Sequence, residues 1–306
     1  MTDGKMEEMK ETDAMWENRW YRLGHAIIEV QMPKGMLYPE NLEKFAWEPE
    51  EGQIDQVYQI AYTDSLEEEE RKLREKFRGA AEIRRDTICV LSTAEKEGRI
   101  LNFQGAQRPY GISVEESDTF SRVWVEREVA PMLKYETIFL SLLSLEKLML
   151  KHNAMILHSA YMCKEGKAVL FSAPSETGKS TQADLWEKYR GTRTINGDRS
   201  LLIREKDGWH AYGWPVCGSS GICCNEEYPV QAIVMLHQAR ENQVEKLTGF
   251  QAVQKLMAQI TINMWNARFQ IKIMDMIEEL ISEIPVYELG CDISKEAVEC
   301  LEKVLE

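Results

Sequence analysis

The chain has 306 residues, of which 51 are acidic and 37 basic, leaving a formal net charge of −14. That balance repels a nucleic-acid backbone and an anionic membrane surface, so neither is expected as a partner. Hydrophobic residues make up 44%, enough for a sizeable core. The seven cysteines include no C-x-x-C pair, which speaks for reduced thiols in a cytosolic protein rather than a disulfide or zinc scaffold.

Residues 1–15 are polar and acidic. They read as a disordered tail and carry neither a secretion signal nor a transit peptide. Residues 16–134 read as a β-rich N-terminal region. Its strand-like pieces, among them 26–30, 57–62, 87–91 and 122–125, are rich in β-branched and aromatic side chains and separated by turn-like stretches. The run Glu67-Glu68-Glu69-Glu70-Arg71-Lys72 reads as a solvated helix or loop. Residues 136–152 carry Ile138, Phe139, Leu142, Leu145, Leu148 and Met149 at helical spacing, which predicts one helix. The most apolar segment of the chain, 138–150, is too short, and with Glu146 and Lys147 too charged, to span a membrane, so a cytoplasmic location is expected.

From residue 135 to 306 the pattern is α/β. Strand-like residues 155–163, the short turn 164–166 and strand-like residues 167–171 must form a hairpin, because parallel neighbours need a long crossover. Residues 173–181 follow as Ala-Pro-Ser-Glu-Thr-Gly-Lys-Ser-Thr. The stretch has the length and ending of a phosphate-binding P-loop, G-x-x-x-x-G-K-[ST], with a strand before it and a helix after it. Backbone amides at a helix start, aided by the helix dipole, cradle phosphate there. The expected nucleotide-binding residues are Pro174, Ser175, Glu176, Thr177, Gly178, Lys179, Ser180 and Thr181. Lys179 would neutralise the outer phosphates and Ser180 would hold magnesium.

Residues 194–198 read as a strand ending in Asp198, 19 positions after Lys179. A carboxylate there suits a magnesium ligand. His158, on the strand paired with the one that enters the loop, could contact phosphate or move a proton. Strands follow at 201–203, at 209–212 after a turn at Asp207-Gly208, and at 230–236. The Gly- and Ser-rich stretch 212–222 reads as a loop able to close over a substrate. Helices at 251–260 and 271–284, a strand at 285–289 and a helix from Ser294, a plausible N-cap, complete the chain.

The segment from Leu157 to Ile203 resembles the HPr kinase/phosphorylase family and its structural relatives, the phosphoenolpyruvate carboxykinases. The shared order is a histidine-bearing strand (Leu157-His158-Ser159-Ala160), a hairpin, a P-loop ending Gly178-Lys179-Ser180-Thr181, and a strand ending near Gly197-Asp198. The resemblance implies a P-loop in a mixed sheet and a kinase using ATP and magnesium. Its acceptor would be a hydroxyl on a peptide, a protein or a small metabolite. It also implies that Asp198 binds magnesium or acts as base, and that His158 sits near the transferred phosphate, so that Asp198, His158 and Lys179 form the catalytic set. Three features depart from the family pattern: Ala173 replaces the first loop glycine, Glu176 stands where another glycine is common, and Gly197-Asp198-Arg199 replaces a double aspartate. They motivate a second reading, a nucleotide-binding regulatory or scaffold module without turnover. The oligomeric state is left open, a homo-oligomer included.

Overall fold

The structure, a computed structural model, describes residues 16–85, 87–105 and 108–306. The tail expected at 1–15 lies outside the described residues. The chain divides into two compact units between Leu145 and Glu146, each built on a mixed sheet.

The first unit contains β1 (Trp16–Leu23), β2 (Ala26–Pro33), β3 (Gln56–Thr63), α1 (Leu66–Lys76), β4 (Ala81–Arg85), β5 (Ile88–Ser92), β6 (Glu97–Asn102), β7 (Pro109–Ser117) and β8 (Phe120–Glu126). The eight strands form one sheet in the order β1-β2-β3-β8-β7-β6-β5-β4, antiparallel except for the β2–β3 and β3–β8 pairs. The acidic run begins α1. Ser65 caps it by accepting from the Glu68 amide, and acidic residues at its start and basic ones at its end suit the helix dipole. Leu66, Leu73 and Phe77 from this helix pack on Cys89, Leu91, Ile100, Ile112 and Val114. At Gly98 the approach is so close that an added Cβ would lie 2.4 Å from Leu73.

The single helix expected over 136–152 is two: α2 (Glu136–Ser141) and α3 (Leu145–Lys151). Ser144 between them has φ +52°, in the left-handed region where a helix cannot continue. The apolar spacing persists through the break, which is why periodicity alone does not reveal it.

The second unit carries β9 (Ala154–Lys164), β10 (Lys167–Ser172), α4 (Lys179–Arg190), β11 (Arg193–Asn196), β12 (Arg199–Glu205), β13 (Gly208–Gly213), β14 (Glu227–Gln238), β15 (Gln243–Lys246), α5 (Gly249–Met257), α6 (Ala267–Glu283), β16 (Val286–Cys291) and α7 (Lys295–Leu305). The expected hairpin is present. Lys164 pairs with Lys167 across Glu165 and Gly166, both at positive φ, the twist that suits a two-residue turn. The β12–β13 turn falls on Lys206-Asp207, one residue before its expected place. Ser294 stands at the start of α7 without a side-chain cap bond.

Two long strands organise the sheet. The first half of β9 pairs with β12 and its second half with β10. The start of β14 pairs with β13, and its remainder runs parallel to β10 and β16. Because β12 also pairs with β13, the five strands β9, β12, β13, β14 and β10 close into a ring. Strand alternation then sorts the side chains. Leu157, Tyr161, Leu170 and Ile233 face a core shared with α5 and α6. Ala160, Val169, Phe171 and Val234 face one shared with α4 and α7, where Trp186 is fully buried. Helices thus cover both faces and hold β10, the strand that leads into residues 173–178, rigidly between β9 and β14. Among the described residues no helix is long and apolar enough to cross a membrane, and all seven cysteines are free.

Candidate functional site at the end of strand β10

Strand β10 ends at Ser172, and α4 begins at Lys179 with Gly178 as its N-cap. Ala173 is buried in the core beneath α4, beside Phe171 and Ala183. It is not among the residues with positive φ, so its methyl contributes packing and the backbone there does not call for glycine. Gly178 is different. Its φ of +114° excludes a side chain on conformational grounds alone. Glu176 has φ +64°, a left-handed position that favours glycine, and its side chain is exposed. The carboxylate therefore points to solvent rather than occupying the loop. Pro174, Ser175 and Thr181 are also exposed, and Thr177 is half-buried.

Lys179 is only 7% exposed. Its Nζ folds back to donate to the carbonyls of Ala173 (3.1 Å) and Pro174 (3.3 Å). Burial lowers its proton affinity; Asp198 opposes that shift and Arg199 adds to it. Ser180 Oγ donates to the Gly197 carbonyl at 3.4 Å, which ties the start of α4 to the segment carrying Asp198.

Asp198 does not end a strand as expected. Strand β11 stops at Asn196, because the buried Asn196 side chain turns the chain, its Oδ1 accepting from the amides of Asp198 and Arg199, both at 3.0 Å. Asp198 lies in the short connection to β12. Its Oδ1 is 3.4 Å from His158 Nε2, and its Oδ2 is 3.5 Å from Arg199 Nε. Burial raises the Asp198 pKa, but His158, Arg199 and Lys179 together outweigh it and hold the carboxyl below its ordinary value.

His158 is fixed through its backbone. Its amide donates to the Gln259 carbonyl (2.9 Å), and its own carbonyl accepts from Ser172 Oγ (2.8 Å). Ser172 and Arg199 belong to the site although their sequence context gave no sign of it, and the turn at 217–220, part of the stretch expected to close over a substrate, lies beside Asp198. The Gly- and Ser-rich stretch packs on the Asp198 segment: a Cβ on Gly197 would lie 1.8 Å from Ser220 Oγ, and one on Gly218 would lie 2.9 Å from Asp198 Cβ. Glu226 is engaged by Arg193 and by Tyr228 Oη.

Among the described residues no group of three or more His, Cys, Asp or Glu side chains is placed to hold a metal ion. Magnesium asks for less from a protein, commonly one or two oxygens with phosphates and waters completing the octahedron. The hard oxygens of Ser180 and Asp198 suit that role, and the ammonium of Lys179 suits the phosphates.

Among solved structures, the HPr(Ser) kinase/phosphatase from Coxiella burnetii is similar at 11% identity and a TM-score of 0.31, covering 49% of this chain and 94% of that one. None of the curated proteins matches the chain. The family described as SynChlorMet cassette protein ScmC matches residues 129–306. That span is more than half of the chain and includes every residue of the site, and the chain belongs to the ScmC family.

Proposed function

We propose that this protein is a magnesium- and ATP-dependent kinase that transfers phosphate to a hydroxyl of a peptide, a protein or a small metabolite. One observation supports the reading: the Gly178-Lys179-Ser180 helix start, on a strand–loop–helix, is linked through Ser180 and Gly197 to a carboxylate–imidazole pair, Asp198 and His158. Amides at the helix start and the Lys179 ammonium would hold the phosphates. Ser180 would hold magnesium, and Asp198 would either complete that site or serve with His158 as the base. When bound, the magnesium nucleotide supplies the phosphoryl group and neutralises its charge. The protein's own work is then positioning and proton transfer. As the acceptor oxygen bonds to phosphorus and the bond to the leaving diphosphate breaks, the hydroxyl proton passes to the Asp198–His158 pair and the leaving oxygen keeps the electron pair.

The exposed glutamate at position 176 and the single aspartate of Gly197-Asp198-Arg199 favour a second reading, a nucleotide-binding regulatory module without turnover. Isothermal titration with ATP and magnesium, followed by an assay for ADP release, separates the two. Binding with release supports the kinase, binding without release supports the module, and absence of binding overturns both.

A further inference from the structure

We propose that Arg199 is a further catalytic residue, an arginine supplied by the chain itself that contacts the phosphoryl group in transit; the inference rests on the kinase reading above. Arg199 opens β12 directly opposite His158 in the β9 register. Its amide is anchored by Asn196 Oδ1, so the base of the side chain is fixed.

The guanidinium, by contrast, is loosely held. Nε is 3.5 Å from Asp198 Oδ2, and Nη1 donates to Thr261 Oγ1 at 3.4 Å. No partner engages Nη2 among the described residues, and the side chain is about a third exposed. Two other arginines of the same unit behave otherwise. Arg190 grips both oxygens of Glu302, and Arg193 grips both oxygens of Glu226. An arginine fork matches a carboxylate or a phosphate in two-pronged fashion, and that capacity is unused at Arg199.

Charge points the same way. Two basic side chains, Lys179 and Arg199, act on one carboxylate, Asp198, and the repulsion from Arg199 adds to burial in lowering the proton affinity of Lys179. In a half-buried site such crowding is relieved by an anion, and a phosphoryl group in transit spreads negative charge over its equatorial oxygens. Arg199 would donate to those oxygens while the acceptor proton goes to Asp198 and His158. Catalysis by an arginine in this role is worth about 10³–10⁵-fold in related chemistry.

The test compares the full chain with Arg199→Ala and Arg199→Lys, after thermal melts establish that each is folded. Isothermal titration measures affinity for magnesium·ADP alone, then with aluminium fluoride, a stand-in for the phosphoryl group. The expected result is magnesium·ADP affinity within about 3-fold of wild type in both variants, with loss of at least about 30-fold of the tightening that fluoride brings, and ADP release down by about 10²-fold or more. Lysine should not restore it, because a point charge cannot replace the fork. Retained fluoride-dependent tightening in Arg199→Ala overturns the proposal, and so does an equal loss of affinity with and without fluoride. Wild type that binds magnesium·ADP but gains nothing from fluoride also overturns it. Failure of wild type to bind magnesium·ADP removes the kinase reading as well, whereas intact wild-type behaviour with unchanged variants removes this inference alone.

Discussion

Oδ1 of Asp198 lies 3.4 Å from Nε2 of His158, a contact between a connection and a strand far apart in the chain. The β9–β12 register makes it: His158 faces Arg199, and the Ser159 amide donates to the Asp198 carbonyl at 2.9 Å. Both backbones are therefore pinned beside the side chains that meet.

Replacing Asp198 by asparagine should lower ADP release by about 10²–10⁴-fold, the range for loss of a general acid–base group. The same variant has a pH signature. The carboxyl is held below its ordinary value of 3.8 in the folded state. Its contribution to stability is therefore complete above the unfolded value and is lost as pH falls through the lower folded one. Urea melts of wild type and Asp198→Asn should differ by a constant amount from about pH 5 to 7 and converge at more acid pH. A difference that grows on acidification would contradict the assignment.

Lys179 has the opposite character. Burial first, and then Arg199, makes its charged form less comfortable in the folded protein than in the unfolded chain. The cost is present at all pH values below the folded pKa and is relieved as pH rises through it. Lys179→Met should thus cost nucleotide affinity by about 100-fold or more while leaving the melting temperature at neutral pH unchanged or higher. A variant that melts well below wild type would show that the bonds from Nζ to Ala173 and Pro174 outweigh desolvation.

Glu176→Gly removes a side chain from a left-handed backbone position. The relief, about 1–2 kcal/mol, is partly offset by the greater freedom of glycine in the unfolded chain, about 0.5–1 kcal/mol. A small rise in melting temperature is expected. Nucleotide binding, followed by titration calorimetry, should tighten by several-fold as a like charge leaves the proposed phosphate site. Weaker binding would mean that the glutamate helps hold the ligand or its metal.

Gly197→Ala drives a methyl group into Ser220 Oγ and toward the Cys217 carbonyl. Overpacking of this kind costs about 1–3 kcal/mol, and the shift should move Asp198 and lower turnover. Ser220→Gly in the same chain should recover part of the stability, since the closest clash is with the serine side chain. Chemical denaturation of the two single variants and the double variant measures the coupling.

What the sequence by itself determined is local. The loop between β10 and α4, the β9–β10 hairpin and the β-rich character of the first unit follow from spacing, turn chemistry and β-branched composition. These depend on neighbours a few residues apart. The break at Ser144 was hidden because the apolar spacing runs through it. Strand β15 escaped for a different reason: strand formation depends on cross-strand partners more than on intrinsic preference.

Tertiary structure decided the rest. Only the register of β9 against β12 brings His158 to Asp198, and only the Asn196 side chain decides that Asp198 sits in a connection instead of a strand. Arg199 and Ser172 enter the site by the same route. A side chain gains its chemical role from charges and hydrogen-bond partners contributed by distant segments, and pairing between such segments is set by burial of whole faces, which no short stretch of sequence encodes.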